Sequence, residues 1–421
     1  MTVAVAIAMA GTGEGLASSR VEADPRLTLA RRCADLTEAL AVAHAGLVNV
    51  VVVSDQPHLN RAVVAEFRSA GVAVIGVQAV PGDSQDLNGI GIDEVVAIDA
   101  ISQALADRIV TVAQVVASTP RTVAEPLPAA GGDGVILAVW GPTGAPGRTT
   151  LAVNIAAECA QAGHEALVVD VDTYGGAVAQ ALGLLDEAPG IAALARASLH
   201  GALTDDVIWR HTLTAGKRLK VLSGMSRASR WPELSRSALE DIWSTLRRHA
   251  QVTVIDCGFS LEQDEDIVYD TRAPQRNGAT LSALAAADVI VVVGTSEPVG
   301  IQRLVQALTE LSESTIAGGS QIVVANRVRS AVAGRHPEEA IADALVRYSG
   351  VDRVWIVPFD DRACDAATLA GKTLSERAPR SLARRAIAAI AGAALDEAKR
   401  VHPGSDPARA SARAGTVGLR D

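Results

Sequence analysis

The segment VILAVWGPTGAPGRTTLAVNIAAECAQAG, residues 135–163, constrains this chain more than any other. An unbroken apolar run ends at Trp140, a Gly/Pro-rich turn follows, and an Ala/Leu-rich helical stretch begins at Arg148. A short apolar run feeding directly into a helix is the repeating unit of a parallel sheet. The glycines allow successive backbone N–H groups to curve round an anion, and the helix N-terminus adds partial positive charge. A strand-turn-helix corner with no ligand is the competing reading. The phosphate-loop pattern GxxxxGK[ST] is met at Gly141, Gly147 and Thr149, with Arg148 where the lysine should stand. Arginine keeps the charge and can fork onto two phosphate oxygens, but it is bulkier than an ammonium at a tightly wrapped site.

The same alternation runs through the whole chain. In residues 1–116 the spacing predicts strands at Val3–Ala8, Val48–Val53, Val72–Val77 and Glu94–Ile98, with helices over 27–45, 57–70 and 100–117. Residues 117–133, ASTPRTVAEPLPAAGGD, read as a Pro/Gly linker. A second α/β pattern occupies 134–400, with strands at Val135–Trp140, Ala166–Val171, Leu219–Leu222, Val252–Asp256, Val289–Val293, Gln321–Ala325 and Val354–Val357. Residues 401–421 are Pro/Gly/Ser/Arg-rich and expected to be disordered. The 421-residue length suits two or three domains of roughly 100–200 residues. Four scattered cysteines without a CxxC pair suit reduced thiols in a cytoplasmic protein. A net charge of −10 argues against a general nucleic-acid coat, and no run approaches the roughly 18–20 apolar residues of a membrane span. Only Lys217, Lys220, Lys372 and Lys399 are lysines among 38 basic residues.

TGAPGRTT resembles the deviant Walker A loop of the MinD/ParA superfamily of P-loop ATPases. LVVDVDTYGG, with Asp170 and Asp172, is similar to that family's second acidic motif, and VTVIDCG, ending its strand at Asp256, to its Walker B strand. ADVIVVVGTSEPVGIQRL, IVVANRV and VPFDD resemble the later strand ends in the same order. The resemblance covers about residues 134–395 and implies ATP and Mg²⁺ as cofactors on a mostly parallel, doubly wound sheet. It assigns the phosphates to Gly144, Ala145, Pro146, Gly147, Arg148, Thr149 and Thr150. It assigns Mg²⁺ to Thr149 and, through water, Asp256; the attacking water to Asp172; and the purine to Asn326, Pro358 and Asp360. Each of these carboxylates and Asn326 follows an apolar strand, so they would converge on the edge where open α/β sheets bind ligands. Taken singly, each Asp also reads as a helix cap or turn residue.

Both lysines of the family's loop are replaced, the first by Thr143 and the second by Arg148. Arg272 and Arg276, in a polar insertion after the Asp256 strand, are candidates for the contact across a dimer that the first lysine makes in the family; a solvated charged loop is the alternative. Nucleotide binding with weak or absent turnover is the expectation. The first domain resembles a receiver (flavodoxin-like) fold, with Asp55 after VVVVSD near where a phospho-acceptor would stand. The first strand ends Ala8-Met9-Ala10-Gly11 without acids, and no lysine follows the last, which fits a pseudo-receiver. That domain order is similar to the CpaE/TadZ group of Flp/Tad pilus-assembly proteins and to septum-site-determining-like proteins. It implies a nucleotide-dependent homodimer, pilus, secretion or division machinery as partners, polar or septal placement, and membrane association through partners, with no specific nucleic acid. An active MinD/ParA-type ATPase and a non-catalytic scaffold with a vestigial pocket are the alternatives. The 381–400 segment, SLARRAIAAIAGAALDEAKR, has an alanine-rich apolar face without an aromatic anchor and is expected to pack on protein rather than on lipid.

Overall fold

The computed structural model describes residues 2–401 apart from 10, 12, 57–58, 79–86, 88–89, 119–133, 185–188, 264–274, 315–318 and 334–335. The predicted linker (beyond residue 118), the predicted disordered tail (beyond residue 401) and Arg272 lie outside the described residues. The chain divides into two compact units, Met1–Pro128 with Arg196–Thr204, and Ala129–Ala195 with Asp205–Asp421.

In the first unit, strands β1 (Val3–Ala8), β2 (Leu27–Arg32), β3 (Val50–Ser54), β4 (Ala73–Gln78) and β5 (Glu94–Ala97) form a sheet in the order β2-β1-β3-β4-β5, with every neighbouring pair parallel. Helices α1 (Gly13–Ala23), α2 (Leu36–His44), α3 (Arg61–Ser69) and α4 (Ile101–Ser118) cover it. Successive side chains of a strand point to opposite faces. Val5, Ile7, Val50 and Val52 therefore pack with Ala17 and Val21 of α1 and Leu105 and Ile109 of α4. Ala6, Ala8, Val51 and Val53 pack with Leu36 and Ala39 of α2 and Val64 and Phe67 of α3.

The helix expected over 27–45 is instead β2 followed by α2, and α1 precedes them where no element was expected. The reason is physical. In edge strand β2 only Leu27 is buried, so no apolar run marks it. The core-facing residues of α1 are Gly13, Ala17, Ser18 and Val21, too small to make an apolar stripe. Asp35 sets the start of α2, its carboxylate accepting from the Glu38 amide at 2.8 Å.

The second unit carries β6 (Val135–Trp140), β7 (Ala166–Asp170), β8 (Leu213–Thr214), β9 (Leu219–Leu222), β10 (Val252–Asp256), β11 (Val289–Thr295), β12 (Ser320–Val328) and β13 (Val354–Pro358). Their order is β13-β12-β11-β6-β10-β7-β9-β8, parallel except for the antiparallel pair β8 and β9. All of β6 is buried, as a strand covered on both faces must be. Helix α5 (Arg148–Gln161) and the Leu382–Val401 helix share one core with Leu137 and Val139, through Leu151, Ile155 and Cys159 of the first and Ile387, Ile390 and Leu395 of the second. Arg384 clamps the pair, forking onto buried Glu158 at 2.7 and 2.6 Å. The 381–400 segment thus spends its apolar face on protein. Among the described residues no helix is long and apolar enough to cross a membrane.

The end of β6 opposite the Gly/Pro turn is fixed electrostatically. Arg247 forks onto Asp288 at 2.8 Å to each oxygen, and Asp288 also accepts the Ile136 amide at 2.7 Å. Asp288 is almost fully buried, so removing its partner strands a charge in the core. We expect Arg247→Ala to lower stability by about 3 kcal/mol, the low end for a broken buried pair because Arg247 keeps some solvent contact. Urea unfolding of the full chain measures this.

Candidate functional site

The turn after β6 has the geometry of an anion cradle. Gly144 and Gly147 hold φ of +70° and +95°, left-handed conformations that side chains resist. Gly147 is the N-cap of α5 and offers no side chain, so no cap covers the first amides of the helix. A Cβ on Gly147 would run into Nδ2 of Asn326, and one on Gly144 into Nη1 of Arg303.

Arg148 lies inside the turn. Its Nη1 donates to the carbonyls of Pro142, Gly141 and Ala145 at 3.3, 3.4 and 3.5 Å, all long. Nη2 stands 3.7 Å from Asp172 Oδ2, and Nε is buried with no partner among the described residues. Thr149 donates its hydroxyl to Asp256 Oδ2 at 2.6 Å, while Asp256 Oδ1 is buried without a partner among the described residues.

Three carboxylates crowd this edge. Burial pushes Asp170 up to about 7, against the backbone amides of Val178 and Asp172 that favour its charged form. Burial raises Asp256 well above the usual carboxylate range, and the charge of Asp170 adds to the rise. An orphaned carboxylate oxygen beside a threonine hydroxyl suits a hard cation or its bound water. No cluster of three or more His, Cys, Asp or Glu among the described residues could hold a metal alone. A Mg²⁺ held by Thr149 and Asp256 would therefore complete its shell with waters and phosphate oxygens.

Asp172 caps its own loop, accepting from the amides of Tyr174 and Gly175 at 2.9 and 3.3 Å, and leaves Oδ2 toward Arg148. Tyr174 fastens that loop to the segment after β10: its hydroxyl donates to Asn277 at 2.8 Å and its ring meets Phe259 at 4.6 Å. Arg276 stacks on the Tyr174 ring at 4.2 Å.

On the other side of the loop a cavity of about 240 Å³ is lined by Pro146, Gly147, Thr150, Asn326, Pro358 and Asp360. Asn326 is aimed by an irregularity in β12, where register with β13 shifts between Ala325 and Val328 and Arg327 takes φ +57°, the sole positive φ on a non-glycine among the described residues. Its Nδ2 donates to the Pro146 carbonyl at 3.0 Å. Asp360 lines the cavity and also caps the Asp361–Leu369 helix, accepting from Ala363 at 3.3 Å and from the Ser381 hydroxyl at 2.7 Å. The cap reading and the cavity reading of Asp360 thus hold together.

The residues that the sequence assigns to phosphates, Mg²⁺, water and purine lie on the loop, in the carboxylate group or around the cavity, whereas Arg276 rests on Tyr174 and Arg272 lies outside the described residues. Arg303 was not among them. It sits in the Pro298–Glu313 helix and donates to the Thr143 carbonyl at 3.3 Å. No local pattern marks such an arginine, and the sequence directed attention to Arg272 and Arg276 instead. Asp55 follows β3 as an exposed residue.

A mostly parallel α/β sheet whose central strand ends in a glycine cradle defines a P-loop nucleotide-binding domain. Residues 137–369, more than half of the chain, match the family described as the CobQ/CobB/MinD/ParA nucleotide binding domain, and the chain belongs to that family. Among solved structures it resembles the ParA family ATPase of Chlorobium tepidum TLS, with TM-score 0.52 and 16% identity over 62% of this chain and 98% of that one. The cell division ATPase MinD of Pyrococcus furiosus gives 0.49 and 19% over 63% and 99%. An ATP complex of Cyanothece McdA gives 0.48 and 17% over 63% and 98%. At such identities the likeness concerns the fold alone. No curated protein sequence matches the chain.

The Asn326 contact gives a direct check on the loop. Gly147→Ala imposes a left-handed alanine and a clash, and should cost about 1–3 kcal/mol. Asn326→Ala removes the clashing amide and with it the hydrogen bond to Pro146, so the two losses should be less than additive in a double-mutant cycle read by urea unfolding.

Proposed function

We propose that this chain is an ATP-binding localisation or assembly factor with weak or no hydrolysis, positioning pilus, secretion or division machinery as a nucleotide-dependent homodimer. The observation that carries the nucleotide reading is the continuity of cradle and cavity: Pro146, Gly147 and Thr150 belong to both. A space of about 240 Å³ is smaller than the roughly 300–1,000 Å³ of a whole-ligand pocket, and suits a base whose phosphates lie outside it on the loop. In this reading the loop amides of Gly144–Thr150 bind the phosphates, Asn326, Pro358 and Asp360 flank the purine, and Thr149 and Asp256 hold Mg²⁺. When bound, Mg-ATP supplies an activated terminal phosphoryl group.

Asp172 would orient the attacking water. Its free oxygen faces the Arg148 guanidinium at 3.7 Å, which holds the carboxylate by charge and competes with water for it. A guanidinium whose Nη1 is shared among three loop carbonyls also differs from the compact ammonium that the family places there. Both features support slow turnover. For the first unit, the strand order β2-β1-β3-β4-β5 is that of flavodoxin-like folds. With Ala8 and Met9, both buried, closing β1 where a phosphorylated receiver needs acids, it reads as a pseudo-receiver serving interaction and placement at a pole or septum. The CpaE/TadZ pilus group combines these two domains and is the subgroup we favour.

Sizing the protein with and without Mg-ATP, together with turnover measurement, tests the proposal. The expected outcome is a nucleotide-dependent doubling of mass, with turnover far below about 1 per second, the low end for active phosphotransferases. Arg148→Lys should raise turnover at least about tenfold by releasing Asp172. Wild-type turnover near 1 per second would assign the chain to the active ATPases instead. Nucleotide that changes neither mass nor melting temperature would mark a vestigial pocket.

A further inference from the structure

The loop has a second cation that does not belong to it. Arg303 projects from the exposed side of the Pro298–Glu313 helix, whose Leu304, Ala307, Leu308 and Leu311 are buried. Its Nη1 donates to the Thr143 carbonyl at 3.3 Å and lies over Gly144, at a spot a Cβ there would claim. Arg303 makes no ion pair among the described residues, its one polar contact being the Thr143 carbonyl, although Glu262, Glu310 and Glu313 line the same groove of about 780 Å³ with Pro142, Thr143 and Arg303. One long contact to a carbonyl leaves most of its five donors unspent.

The two ends of the loop face different spaces. The Pro146–Thr150 end opens on the cavity, and the Pro142–Thr143 end opens on the groove that holds Arg303. A nucleotide with its base in the cavity has its phosphates running along the loop toward Thr143, so the terminal phosphate lies nearest Arg303. Arg148 is committed to the interior, to carbonyls of the loop and to Asp172. The outer end of the cradle thus depends for positive charge on the Pro298–Glu313 helix.

We infer that Arg303, acting within the same chain, binds the terminal phosphate of a nucleoside triphosphate and makes the site favour triphosphate over diphosphate. This rests on the nucleotide reading above. Gly144 contributes by lacking a Cβ, which lets the guanidinium reach the backbone of the loop.

The test uses the full chain and measures dissociation constants for Mg-ATP and Mg-ADP by calorimetry, with melting temperature recorded for each variant. Arg303→Ala should weaken Mg-ATP about 10–100-fold, the effect of a lost charge-assisted contact, and Mg-ADP less than about threefold. Arg303→Lys should retain most of the preference. Adding Thr143→Lys to Arg303→Ala places a cation on the loop itself and should recover at least about tenfold in Mg-ATP affinity. Wild-type affinities in Arg303→Ala, equal losses for both nucleotides, or a loss that neither lysine variant restores would overturn the role of Arg303 while leaving nucleotide binding intact. Wild-type protein that binds neither nucleotide would overturn both readings.

Discussion

The burial of β6 is the constraint on which the second unit turns. Its six residues are all buried, which forces the strand between β10 and β11 and puts helices on both faces. Asp288 and Arg247 then fix the start of the strand, so the other end emerges at one place, Gly141, where a Cβ would strike the Val293 carbonyl. Everything in the candidate site follows from that exit point. The adjacent β10 delivers Asp256 beside Val139, two residues before that exit, and β7 delivers Asp170 one strand further out, with Asp172 just past its end.

The charge arrangement at this edge is not self-sufficient. Burial raises both Asp170 and Asp256, with Asp172 adding to the rise of the first and Asp170 to that of the second, and one oxygen of Asp256 has no donor among the described residues. Buried acids this close together favour a proton on one of them or a cation between them, and either relieves the repulsion. Arg148 answers part of the need, but from the loop side and at a distance that suits Asp172 rather than Asp256.

Legibility in the sequence followed burial. VILAVW, VTVID and VIVVVGT are buried throughout and stand out as apolar runs, so the strands that carry the site were readable. The edge strand β2, with one buried residue, and β8, with two residues, carry too little apolar signal to be read. The loop, Thr149, Asp256 and Asn326 could be proposed because each follows a readable strand, and the structure brings them together. Arg303 could not, because its relation to Thr143 spans 160 positions and leaves no trace in local spacing. Arg276, a candidate for a contact across a dimer, rests its guanidinium on Tyr174 within the single chain.

The two left-handed glycines of the loop are each overlaid by a side chain from far along the chain, Arg303 on Gly144 and Asn326 on Gly147. Asn326 additionally grips the Pro146 carbonyl from 180 residues away. The conformation of the cradle is consequently a tertiary property, written into the β11–β12 half of the sheet as much as into the turn itself. A peptide of the loop sequence would lack it. Were a base to draw Asn326 away from Pro146, the loop would lose that hold, and under the proposed function recognition at the two ends of a nucleotide would be thermodynamically linked through one amide.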